Sequence, residues 1–62
     1  MTRDELQQAI ADTLAEIEQV REQIETAAEP VEELRLMRRK KELQTRQLWN
    51  LDQLGAIQKA GE

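Results

Sequence analysis

The chain has 62 residues, of which 39% are hydrophobic and 35% charged, and its formal net charge is -4. It contains no cysteine and no histidine, which excludes a disulfide framework and removes the usual general base and the commonest metal ligands. No apolar run approaches the roughly 18 residues of a membrane-spanning helix, and the first residues lack the apolar core of a signal peptide. We therefore expect a cytoplasmic protein without a membrane partner.

The composition is typical of long helices. Alanine, glutamate, lysine, leucine and arginine make up 34 of the 62 residues, which exceeds the roughly 50% that marks coiled coils and long helices. A chain of this size rarely buries enough core to be stable alone, and disulfides are absent. The composition therefore predicts one all-α domain over residues 1–62 that is stabilised by self-association or by docking on a larger partner.

Pro30 divides the chain into two predicted helices. Proline suits the first position of a helix and disfavours helical geometry in the residue before it. The sequence predicts helix 1 over about 2–28, a turn over about 28–30 and helix 2 over about 30–58. Thr2 and Glu5 have the spacing of a capping box, which favours a helix start at the amino terminus. A single bent helix is the alternative to this helical hairpin.

Helix 1 carries one apolar seam with alternating steps of four and three residues, as in a coiled coil. Its members are Leu6, Ile10, Thr13, Ile17, Val20, Ile24 and Ala27. Helix 2 carries a stripe with the same spacing, here called the Leu34 stripe, that consists of Val31, Leu34, Met37, Lys41, Gln44, Leu48 and Leu51. Folding the chain back at residue 29 places Thr13 opposite Gln44, so that one polar side chain faces another. We therefore predict that the Leu34 stripe packs against helix 1.

A second apolar stripe on helix 2 remains without a partner in this register. This Leu43 stripe consists of Leu36, Leu43, Asn50, Leu54 and Ile57. Large exposed apolar patches usually mark an interface, and two hairpins joined through such stripes form a four-helix bundle. We therefore predict a homo-oligomer, in the simplest case a homodimer, with the Leu43 stripe as its interface and Asn50 fixing the oligomeric state.

No arrangement of residues indicates an enzyme. Serine, histidine, cysteine and tyrosine are all absent, and two glycines are too few for a phosphate-binding loop. Glutamates at helical spacing on helix 1, such as Glu18 and Glu22, lack the histidine support of a carboxylate metal site. We expect no catalytic activity, no cofactor and no bound metal.

The most informative cluster is basic and lies on helix 2, where six of the nine basic residues fall within positions 35–46. A helical wheel places a basic face opposite the apolar face, with Arg35, Arg38, Arg39, Arg46 and Trp49 as its members. Tryptophan and arginine are enriched at binding hot spots. The sequence favours a docking surface for a protein partner, and the alternatives are a nucleic-acid site, a solvated face or a structural assembly component.

The predicted layout resembles the Rop family of small plasmid copy-number proteins. The resemblance covers the whole chain and consists of its length, the early Thr2, the tight turn near residue 30 and the heptad seams. It implies a dimer of helical hairpins that binds paired RNA loops through its first helices. Helix 1 here has only Arg3 and Arg21 among many acidic residues, so the family's RNA-binding face has no counterpart at these positions.

Overall fold

The structure is a computed structural model that describes residues 1–60, and it consists of two α-helices packed against each other as a hairpin. Helix α1 spans Arg3–Thr26 and helix α2 spans Pro30–Ala60, with no strand in this part of the chain. Residues 61 and 62 of the predicted domain lie outside the described residues. The hairpin is a thin rod with extents of 49 × 14 × 14 Å.

The ends of the helices follow from local hydrogen bonds. The predicted capping box is confirmed: the Glu5 N–H donates to the Thr2 hydroxyl oxygen at 3.2 Å, and the Thr2 N–H donates to Glu5 Oε1 at 3.3 Å. Ala27 is extended and ends α1. Pro30 is the first residue of α2, and the Glu33 N–H donates to the Glu29 carbonyl at 3.0 Å to form its first turn.

The core of the hairpin is small because it consists of a single layer of side chains between the two helices. Among the described residues its buried apolar side chains are Leu6, Ile17, Val20 and Leu43. Ile17, Val20 and Leu43 form one cluster, against which the half-buried Ile24 and Leu36 pack. The predicted seam of α1 therefore faces α2.

The predicted seam of α2 is wrong. The Leu43 stripe faces α1, with Leu43 and Asn50 buried and Leu36, Leu54 and Ile57 half-buried. The apolar members of the Leu34 stripe are exposed, by 65% at Leu34 and 69% at Leu48. The two stripes have thus exchanged the roles predicted for them: the residues expected to join two copies pack inside one chain.

A short polar network crosses the core and defines the observed register. Asn50 Nδ2 donates to the Thr13 hydroxyl at 3.5 Å and lies 3.4 Å from Gln47 Oε1. Gln47 Nε2 donates to the Ile10 carbonyl at 2.9 Å. No buried polar side-chain atom in residues 1–60 lacks a hydrogen-bond partner. Thr13 therefore has the polar partner expected for it, but that partner is Asn50 and not Gln44.

The physical reason for the exchange lies in the middle of the seam. The predicted register places the charged Lys41 against Ile17, where only the aliphatic part of its side chain could pack. The observed register places Leu43 in the same cluster as Ile17 and Val20. Burying a leucine side chain contributes about 1.5–3 kcal/mol, so the observed register has the larger hydrophobic stabilisation at the centre of the hairpin.

Candidate interaction surfaces

The five predicted partner-binding residues lie on the outer surface of α2. Arg35, Arg38, Arg39, Arg46 and Trp49 are all exposed, and Trp49 is exposed by 55%. Successive residues of an α-helix turn by about 100°, which places the five side chains within an arc of about 100°. They do not form one compact site, because the distance along the axis from residue 35 to residue 49 is about 21 Å.

Trp49 and Arg46 line a groove between the two helices. The groove has a volume of about 390 Å³, and α1 contributes Asp12 and Glu16 to its other wall. Three of these four residues directly precede a seam residue, and Arg46 precedes Gln47, which is half-buried and bonds to α1. This position turns all four to the same side of the antiparallel hairpin. The site therefore combines one indole, one guanidinium and two carboxylates.

Arg39 is the member of the basic face that is tied to α1. Its guanidinium lies 3.3 Å from Glu16 Oε2 across the hairpin and 3.7 Å from Glu42 Oε2 on its own helix. Both partners are exposed, so such a pair contributes at most about 1 kcal/mol. Within residues 1–60, Arg35, Arg38 and Arg46 make no ion pair. These three guanidinium groups are the ones available to a partner.

The opposite side of the hairpin is apolar. The Leu34 stripe lies there, because three of its seven members directly follow a residue of the Leu43 stripe, and Lys41 and Leu48 follow the half-buried Lys40 and Gln47. Leu14 of α1 follows Thr13, is exposed by 51% and lies on this same side. Sequence reasoning missed this surface because it assigned the Leu34 stripe to the core. The signal was present, since helix 2 has two apolar stripes and α1 can cover only one of them.

Outside these two surfaces, the features of residues 1–60 that could bear on function are metal sites, membrane-spanning helices and shifted pKa values. No group of three acidic side chains within residues 1–60 is arranged to hold a metal ion. No helix in this range is both long and apolar enough to cross a membrane. Hydrogen bonding with the Thr2 side chain, and secondly with the Thr2 backbone N–H, holds the pKa of Glu5 below its ordinary value. That shift belongs to the helix cap and has no connection to either surface.

Comparisons with protein-family models, curated proteins and solved structures found no match. The resemblance to the Rop family therefore stays a prediction that depends on the hairpin layout.

Proposed function

We propose that this chain is a small, non-enzymatic interaction protein, an adaptor or regulator that acts as a homo-oligomeric helical bundle. The observation that carries the proposal is Trp49, an indole exposed by 55% that lines the interhelical groove beside Arg46. An exposed tryptophan contributes nothing to the hairpin core. Tryptophan and arginine together are the residue types that most often dominate the free energy of binding at protein interfaces.

The composition of the groove favours a protein over a nucleic acid. Asp12 and Glu16 place two carboxylates on its α1 wall, and carboxylates repel phosphate groups. The chain as a whole carries a net charge of -4, whereas dedicated nucleic-acid-binding domains are usually strongly basic. A protein segment that presents an apolar side chain to Trp49 and carboxylates to Arg46 and Arg38 matches this surface.

Self-association is supported by the distribution of apolar side chains. Eight large apolar residues in the described part of the chain are exposed by about half or more, whereas four are buried. Monomeric proteins rarely expose a contiguous apolar surface of this kind. A second hairpin packed on the side of the Leu34 stripe would remove the stripe and Leu14 from water, but not Met1 and Trp49, which line the groove on the other side. Folding would then be coupled to association, and the melting temperature would rise with protein concentration.

The docking proposal is tested by placing a photo-crosslinking amino acid at position 49, with position 19 as the matched control. Gln19 is also exposed but lies on α1, outside the groove. We expect a covalent protein adduct from position 49 and none from position 19. The identified partner should then bind the Trp49→Ala variant more weakly by about 2 kcal/mol or more, as for hot-spot tryptophans.

The same experiment distinguishes the nucleic-acid alternative. A nucleic-acid adduct at position 49, with an affinity that falls steeply as salt rises, would contradict protein docking and support phosphate recognition by the basic face. The absence of any adduct specific to position 49 would contradict a docking role for Trp49 altogether.

A further inference from the structure

The exposed side of the hairpin has a symmetry that specifies how a second copy packs on it. From Leu34 to Leu51 the Leu34 stripe reads Leu34, Met37, Lys41, Gln44, Leu48 and Leu51. The spacings between successive members are three, four, three, four and three residues. Along the stripe, two apolar side chains are followed by two polar ones and then by two more apolar ones. Both series read the same in either direction. A surface of this kind is self-complementary about a two-fold axis through its centre.

We infer that two copies pack with their α2 helices antiparallel, about a two-fold axis that passes between Lys41 and Gln44. This inference depends on the proposed self-association and specifies its geometry. In this arrangement Leu34 faces Leu51 of the second copy, and Met37 faces Leu48. At the centre the ammonium group of Lys41 donates to the side-chain oxygen of Gln44 of the second copy, and the symmetry repeats each contact.

The side chains involved are available in the hairpin. Leu34, Met37, Leu48 and Leu51 are exposed by 65%, 50%, 69% and 49%. None of them is needed for the contact between α1 and α2, because the Leu43 stripe supplies that contact. A second copy therefore matches the chemistry of the stripe at each of the six positions from Leu34 to Leu51.

Helix α1 provides an independent argument for the same axis. Ile17, Val20 and Leu43 form one cluster, so the midpoint between Lys41 and Gln44 lies level with residues 18–20 of α1. Glu18 and Arg21 lie on either side of that level, and both are exposed. Each directly follows a seam residue, which turns it to the same side of the hairpin as the Leu34 stripe.

The axis that pairs the two α2 helices therefore brings Glu18 of one copy opposite Arg21 of the other, and the reverse. Opposite charges meet twice, whereas a parallel arrangement would place Glu18 against Glu18 and Arg21 against Arg21. Leu14 lies on the same side of α1 and is exposed by 51%. Beside Leu48 it adds an apolar contact on each side of the polar centre. The result is a closed four-helix bundle in which like helices are antiparallel neighbours.

The arrangement of α2 is tested with single-cysteine variants, for which a chain without cysteine is a clean background. Met37→Cys and Leu48→Cys are treated with a short bismaleimide, separately and as an equimolar mixture, after sedimentation has established the oligomeric state. In the inferred dimer positions 37 and 48 face each other, but two copies of either position are about 16 Å apart along the axis. We expect the crosslinked product from the mixture alone, and Glu22→Cys, on the outer surface of α1, serves as a control that gives none.

The contact between α1 helices is tested by charge reversal and rescue. Arg21→Glu places a carboxylate against Glu18 of the second copy in two positions. We therefore expect the dissociation constant of the dimer, measured at one fixed salt concentration, to rise severalfold. Adding Glu18→Arg to that variant exchanges the charges and should restore the affinity of the parent chain. A double variant as weak as Arg21→Glu would overturn the pairing of the α1 helices.

The remaining outcomes separate this geometry from self-association itself. Crosslinking of Met37→Cys or Leu48→Cys with itself would show a parallel dimer and overturn the inference. A dimer in sedimentation without a crosslinked product would place the interface elsewhere and also overturn it. In both cases the proposed self-association stands. A chain that sediments as a monomer at every concentration would overturn both.

Discussion

Replacing Leu43 by alanine should remove a large part of the stability of the hairpin, whereas the same change at Leu48 should remove almost none. Leu43 is exposed by 1% and belongs to the central cluster, while Leu48 is exposed by 69% in the single hairpin. Truncating a buried leucine to alanine costs about 2–5 kcal/mol, which includes the cavity that the substitution leaves. A change at an exposed position costs within about 0.5 kcal/mol.

These magnitudes can be compared with the total stability of the chain. At about 0.05–0.15 kcal/mol per residue, a chain of this length has a free energy of unfolding of about 3–9 kcal/mol. Leu43→Ala therefore removes about half of it. If that variant has no cooperative transition left, Leu43→Met tests the same position at a cost below about 1.5 kcal/mol.

The assay is urea denaturation followed by far-ultraviolet circular dichroism, at a protein concentration where sedimentation finds single chains. Under that condition the second copy cannot bury Leu48, and the difference between the variants reports the hairpin alone. At higher concentration Leu48→Ala should begin to cost stability, because the inferred interface forms. Equal costs for the two variants among single chains would refute our description of the seam.

Three further predictions concern single positions. Gly55 lies inside α2 with a normal helical backbone, and an added Cβ would meet nothing within 4 Å. Gly55→Ala should therefore raise the free energy of unfolding, measured by urea denaturation, by up to about 1 kcal/mol. The control Ala56→Gly should lower it by a similar amount. Trp49→Ala should cost less than about 1 kcal/mol in stability, and the Trp49 fluorescence should be red-shifted and quenched by iodide, whereas a blue-shifted and protected signal would contradict its exposure. Because the folded-state pKa of Glu5 is lowered, its contribution to stability is present above the ordinary glutamate pKa and is lost as the pH falls through the lowered value. Glu5→Gln should reduce this acid-dependent fall in melting temperature, and an unchanged pH profile would contradict the role of the cap.

The features that could be predicted from the sequence are those encoded by local chemistry. The capping box needs only Thr2 and Glu5 at the correct spacing, and Pro30 at the start of α2 follows from the absence of its backbone N–H. The exposure of Trp49 could also be predicted, because its position on the helix belongs to neither apolar stripe. These conclusions do not depend on how the two helices pack.

The packing of the two helices could not be derived from spacing alone. The Leu34 and Leu43 stripes have similar periodicity, and each offers a polar residue, Gln44 or Asn50, that can face Thr13. The decision depends on which stripe places leucine at the centre of the seam, which is a comparison of packing energies between two complete arrangements. The groove was missed for the same reason, because the packing of the two helices decides that Asp12 and Glu16 line the same groove as Trp49.

The contact between Thr13 and Asn50 has a consequence for the uniqueness of the fold. A heptad seam is periodic, so one helix could slide along the other by seven residues and still bury most of its apolar side chains. Sliding would bring Asn50 against Leu6 or Val20 and would leave the Thr13 hydroxyl facing an aliphatic side chain. Each stranded polar group costs about 1–3 kcal/mol. The pair therefore adds little to the stability of the native fold relative to the unfolded chain. Its larger effect is to raise the free energy of the shifted registers that a repetitive sequence allows.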